Sequence, residues 1–195
     1  MSEPISRRDF AAVVGAGAIA TVAEAAEPVK PADVAKPIEA AFERDYDAPK
    51  FQPGWKKPQI NRVLVQDFVI FGHGELDLVK KLLEKEPALL NAAVDWGGGD
   101  WETALGGASH VGNRAIAEFL IEKGARVDLF AAAMLGQLEV IKSLLKLQPK
   151  LIDAKGPHGF GLHWHAKMGG ADAAPTLEYL QSVKEVKLPG PPVKK

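Results

Sequence analysis

The chain has 195 residues, a formal net charge of −1 and no cysteine. That length admits one domain with appendages, and the near-neutral charge, with no basic stripe interleaved with aromatics, excludes a protein drawn electrostatically to nucleic acid or to an anionic membrane. The missing cysteine excludes disulfides, thiolate metal sites, a cysteine nucleophile and lipid attachment through sulfur.

The chain opens on "SRRDF" at 6–10, the weakly apolar run "AAVVGAGAIATVA" and the small-x-small pattern Ala23, Glu24, Ala25. Charge, apolar run and cut site in this order resemble a twin-arginine export signal, with Arg7, Arg8 and Phe10 as its core and Asp9 at the free position. The run is too short to span about 30 Å of hydrocarbon. A helix belonging to the folded domain is the competing reading, disfavoured by the glycine and β-branched interruptions. The expectation is cleavage of residues 1–25, a periplasmic or otherwise extracytoplasmic mature protein, the twin-arginine translocase as partner during export, and no permanent membrane anchor.

Residues 26–60 are rich in proline and lysine, which favours an extended, solvated linker. Its second half carries Tyr46, Phe51 and Trp55, aromatic rings that are costly to leave in water, and is expected to cap the first packed element. Residues 187–195, "KLPGPPVKK", read as a disordered tail of the same kind.

Between these ends the sequence repeats itself. "GELDLVKKLLEKEP" at 74–87 is answered by "GQLEVIKSLLKLQP" at 136–149, and "PALLNA" at 87–92 by "PKLIDA" at 149–154. Apolar residues fall at three- and four-residue steps, Leu76, Val79, Leu82 and Leu83 in one copy and Leu138, Ile141, Leu144 and Leu145 in the other, which is one face of a helix. Each helix begins after a glycine and stops before a proline. "GNRAIAEFLIEKGARVD" at 112–128 is a third copy, ending in Gly-Ala-x-Val-Asp.

These phrases resemble the ankyrin repeat, with "TALGGASHVG" at 103–112 and "FGLHWHAKMG" at 160–169 as the first helices of the second and fourth units. The resemblance implies an all-α solenoid of about four helix-turn-helix units over residues 61–186, in which stacking supplies the core that no unit can bury alone. The first step between units is longer than the family's roughly 33 residues and the second shorter. Extra residues are therefore expected in the loop "DWGGGDWE" at 95–102, no finger is expected in the third unit, and further insertion is expected at "GGADAAPT" in the fourth.

The resemblance also implies a non-catalytic module that binds another protein of unknown identity through its concave face. Carried over unit by unit, the positions before the mid-repeat glycine are His73, His110, Val111, Met134, Leu135, Lys167 and Met168. The finger positions are Asp100, Trp101 and Glu102 in the second unit and Pro157 and His158 in the fourth. Trp101 and Met134 are the expected anchors, with His110 and Lys167 as polar contacts.

The residues themselves offer little catalysis. Ser109 beside His110 faces away from it on a helix, no Gly-x-Ser-x-Gly turn presents a nucleophile, and the glycine-rich loop lacks the lysine of a phosphate cradle. No cofactor is expected. His158, His163 and His165 fall close enough in sequence for a zinc site, although residues two apart on a helix point to different sides. A small metal-binding protein or metal-dependent enzyme built on these histidines of the last unit is the alternative. The resemblance instead gives His163 a structural task, tying one unit's turn to the next through backbone hydrogen bonds.

Overall fold

A computed structural model describes residues 39–51, 54 and 57–189. The expected export signal with Arg7, Arg8 and Phe10, the ring of Trp55 and residues 190–195 of the tail lie outside them. Two units are distinct, a segment within 17–59 and the body that begins at Ile60. In the first, the described residues from 39 to 51 form no helix or strand, Phe42, Tyr46 and Phe51 are exposed, and Phe42 meets Tyr46 ring to ring at 6.3 Å.

The body is mostly helical. Its elements are α1 (Arg62–Phe71), α2 (Leu76–Lys85), β1 (Ala93–Asp95), β2 (Trp101–Thr103), α3 (Ala104–Val111), α4 (Arg114–Glu122), α5 (Leu129–Met134), α6 (Leu138–Leu147), α7 (Leu162–Met168) and α8 (Ala174–Val183). Among the described residues no helix is long and apolar enough to cross a membrane. The repeated phrase folds the same way twice, since α2 and α6 each run into a short 3-10 helix, Pro87–Asn91 and Pro149–Asp153, whose proline begins the new turn. Proline has no N–H to lose at such a start.

Four of the helix starts are fixed by side chains that satisfy the first free N–H groups. Asn61 accepts from Val63 and Leu64, Thr103 from Gly106, Asn113 from Ile116, and Asp128 from Phe130 and Ala131. The helices pair as α1–α2, α3–α4, α5–α6 and α7–α8, with first helices packed on first helices and second helices on second helices. Gly112 and Gly136 join first to second helix in the left-handed region, at φ 75° in both. A Cβ there would also collide with the carbonyl oxygens of Met168 and Asp172, so only glycine lets the second and third pairs close up on the fourth.

The apolar periodicity locates the core with one correction. Phe68, Val79, Leu83, Ile116, Leu120, Ile141, Leu145, Leu162 and Leu180 are buried, each contributing roughly 1.5–3 kcal/mol. Leu144 is only half-buried and it is Leu145 that enters the core, because the residue one position along a helix turns by about a quarter of the circle.

The loop at 95–102 is no slack insertion. It closes an antiparallel hairpin in which Ala93 faces Thr103 and Asp95 faces Trp101, and the Asp95 Oδ1 accepts from the N–H groups of Gly97 and Gly99. The third unit has no such finger, since α4 reaches α5 through residues 123–128 alone, and α5 is only six residues long. This shortness has a consequence for the second pair: α3 touches α7 as well as α1 and α5.

Candidate functional site

Where α3 meets α7, four polar side chains converge. His73 follows α1, Glu102 stands on the inward face of β2, His110 is in the last turn of α3, and His158 sits in the turn Pro157–Gly159 that precedes α7. His73, Glu102 and His110 are buried and His158 is half-buried. One donor atom from each lies within 4.8 Å of all the others. Nε2 of His110 is 2.8 Å from Glu102 Oε1 and 3.0 Å from His73 Nε2, while Glu102 Oε1 is 3.5 Å from His73 Nε2 and 3.4 Å from His158 Nε2.

Each of these groups is oriented from behind. His73 Nδ1 donates toward the carbonyls of Val69 and Ile70, both at 3.0 Å, leaving Nε2 to face the centre. Its ring occupies space that a Cβ on Gly107 would enter at 2.8 Å, so glycine at 107 admits the imidazole. Asp100 grips His158 twice, accepting from its backbone N–H and from Nδ1, each at 2.8 Å. Trp96 Nε1 donates to Glu102 Oε2 at 2.8 Å, which leaves Oε1 for the centre. Phe160 stacks on His110, and Trp164 stacks on Phe160 while its Nε1 donates to the His110 carbonyl.

Burial disfavours the charged form of every group here. For Glu102 burial opposes ionisation, yet hydrogen bonds from His110 and His73 outweigh it and hold the carboxyl well below the usual carboxylate range. Burial pushes the His110 imidazole below its ordinary value, so at neutral pH it hydrogen-bonds Glu102 as a neutral ring. An ionised carboxylate and a neutral imidazole are what a metal ion requires of its ligands, and to coordinate through Nε2 the His110 ring would carry its proton on Nδ1 instead.

Much of the predicted protein-contact face is turned inward instead. Val111, Met134 and Pro157 are buried along with His73, Glu102 and His110, so they cannot anchor a partner as expected. The physical reason is the close stacking of first helices through Gly112 and Gly136, which covers the positions before the mid-repeat glycine. Leu135, Met168, Lys167 and Asp100 are half-buried, and Lys167 bonds the Pro189 carbonyl while lying 5.9 Å from the Trp164 ring centroid. Trp101 alone stands well out of the fold, 62% exposed.

The histidine cluster of the last unit, the alternative reading of the sequence, does not form. His163 Nε2 donates to the Lys184 carbonyl at 2.8 Å, after α8, and His165 Nδ1 donates to the Gly161 carbonyl at 2.9 Å against the Phe130 ring. Only His158 belongs to the new centre. Sequence reasoning named all four converging residues but assigned them to a protein-binding face. The signal it passed over is that His73 and His110 hold equivalent positions in successive units, and equivalent positions stack on each other in a repeat. Nothing local marked the supporting roles of Trp96 and Phe160. Comparison with known protein families, with curated proteins and with solved structures finds no match to this chain.

Proposed function

We propose that the chain is an exported repeat protein of ankyrin type whose task is to hold one divalent transition metal, zinc foremost, at the junction of its hairpin finger and first helices. The observation that carries this reading is the convergence of three imidazole nitrogens and one carboxylate oxygen, from four separate segments, within 4.8 Å. A tetrahedral ion with bonds of 2.0–2.1 Å sets its donors about 3.3 Å apart, and the separations around Glu102 Oε1 bracket that value. Nitrogen-rich donor sets suit zinc, copper, iron or nickel rather than the oxygen-seeking magnesium and calcium. Glu102 together with Asp100 supplies two negative charges to balance two positive ones, and the backbone carbonyls and carboxylate behind His73 and His158 are the supports that metal-bound histidines commonly use.

The reading is of binding rather than catalysis. Four protein donors fill a tetrahedron, whereas catalytic zinc keeps a position open. None of the four donors lines either of the surface cavities, of about 420 and 280 Å³. Elemental analysis of the full chain purified without a histidine tag tests it: one metal per chain is expected, lost in Glu102→Gln and His110→Ala and retained in His163→Ala. A metal-free protein that also takes up no added zinc overturns it.

The ankyrin assignment is supported by the paired helices, the glycines at 112 and 136 and the stacking of like helices. Export is supported by the resemblance of Arg7, Arg8 and Phe10 to a twin-arginine signal. A site assembled from residues 73 to 158 exists only in a folded chain, which suits export by a route associated with folded cargo. Replacing Arg7 and Arg8 by lysine is expected to leave precursor in the cytoplasm, and unprocessed wild-type protein there would count against export.

Recognition of a partner protein is a second reading, favoured by the exposed Trp101 at 62% beside Trp96 at 37% on the finger. Aromatic anchors of this kind carry much of the energy of interfaces. Once a partner is in hand, Trp101→Ala is expected to weaken binding and the control Lys142→Glu to leave it intact.

A further inference from the structure

Three of the four donors are fixed by a helix or the hairpin, and the fourth, on a short turn, is held through Asp100. His110 lies within α3, Glu102 lies within the hairpin ladder, and the His73 ring is tied to two carbonyls of α1. His158 rides on a three-residue turn and is the only non-glycine with a positive φ among the described residues, at φ 56° and ψ 20°. A side chain in that region crowds its own backbone, and surrounding contacts must hold it there. Those contacts are two hydrogen bonds to Asp100, whose side chain is 30% exposed, and edge contacts with the His110 and Phe160 rings; the His158 side chain is 16% exposed.

Beside this turn lies the cavity of about 280 Å³, bordered by Asp100 and Pro157 and lined further by Trp101, Asp128, Phe130 and Lys155. Its two carboxylates are already engaged, Asp100 by His158 and Asp128 by the first N–H groups of α5. No side-chain hydrogen bond or ion pair engages the Lys155 ammonium among the described residues. The cavity therefore presents one ammonium without a side-chain partner, beside two hydrogen-bonded carboxylates and two aromatic rings.

We propose that His158 is the exchangeable ligand of the metal centre: when its turn lifts, the coordination position it leaves opens toward this cavity and is filled by a small carboxylate drawn in by Lys155. The inference rests on the metal-binding reading above. Without His158 the remaining donors are two histidines and one glutamate, a set that leaves positions open for an outside ligand. The movement needed is small in sequence, since the bridge between Lys155 and Gly161 closes the base of the turn.

The test uses the full chain loaded with cobalt(II), whose visible absorption reports its ligands, titrated with acetate. A saturable spectral change is expected for the wild type. Affinity for acetate should rise about tenfold in His158→Ala, where no ligand has to be displaced, and fall about tenfold in Lys155→Gln. A wild-type spectrum that stays unchanged at saturating acetate while His158→Ala responds makes His158 a permanent ligand and overturns the proposal, with metal binding intact. Unchanged affinity in Lys155→Gln overturns the part given to Lys155. If His158→Ala does not retain cobalt, the wild-type and Lys155→Gln titrations decide. Cobalt that does not bind to the wild-type chain overturns the metal reading itself.

Discussion

Two groups of histidines in this protein have opposite logic. His163 and His165 are close neighbours in sequence, on one short helix, and each ends at a backbone carbonyl of its own surroundings. His73, His110 and His158 are far apart in sequence and meet around one carboxylate. The first group is what a search for clustered letters finds. The second is what stacking makes, because a repeat brings equivalent positions into register and the shortened third unit lets the fourth reach the second.

The comparison breaks most visibly at Glu102. Its carboxylate is the common partner of three imidazoles, so Glu102→Ala leaves their ring nitrogens without the shared acceptor and is expected to cost about 2–3 kcal/mol, read by urea denaturation of the metal-free protein. His163→Ala, which removes one hydrogen bond to a carbonyl, is expected to cost only about 1 kcal/mol. Equal costs would mean that the convergent group is no more than another set of local tethers.

Acid sharpens the contrast in the other direction, through His165. Burial lowers its pKa to about 4, against a gain from its bond to Gly161. A folded value below the unfolded one means that the unfolded chain binds the extra proton, so stability is fully present above about pH 6.5 and is lost as pH falls toward 4. The loss is on the order of 3 kcal/mol. Melting temperatures at pH 7 and pH 5 capture about 2 kcal/mol of it, and His165→Leu is expected to flatten the difference.

Sequence reading reached the helical architecture, the repeated α2 and α6, the finger insertion and the missing third finger, because hydrophobic period, capping residues and glycine spacing are local signals. It did not reach the centre. The inward turn of His110 and Met134 depends on how closely α3, α5 and α7 stack, and that distance is set by Gly112 and Gly136 against the backbone of the fourth pair, not by the histidine or methionine. The left-handed turn at His158 and the grip of Asp100 on it are long-range as well, joining positions 58 apart in the chain.

Smaller effects separate the ligands from their supports. Asp100→Asn keeps the size of the side chain but weakens its hold on His158, and is expected to lower zinc affinity about 10- to 100-fold by calorimetric titration. Trp101→Ala, on the exposed side of the same finger, is expected to change stability by no more than about 0.5 kcal/mol. A large loss there would place Trp101 in the packing of the finger rather than on its outer face.

The central claim is that His73, Glu102, His110 and His158 hold one metal ion together. X-ray absorption of the zinc-loaded, tag-free chain measures this most directly. The account predicts one zinc per chain with four nitrogen or oxygen neighbours at about 2.0–2.1 Å, an imidazole scattering pattern from three rings, and loss of one ring in His158→Ala. Zinc surrounded by six oxygens, or an imidazole pattern that survives unchanged in His110→Ala, would contradict it.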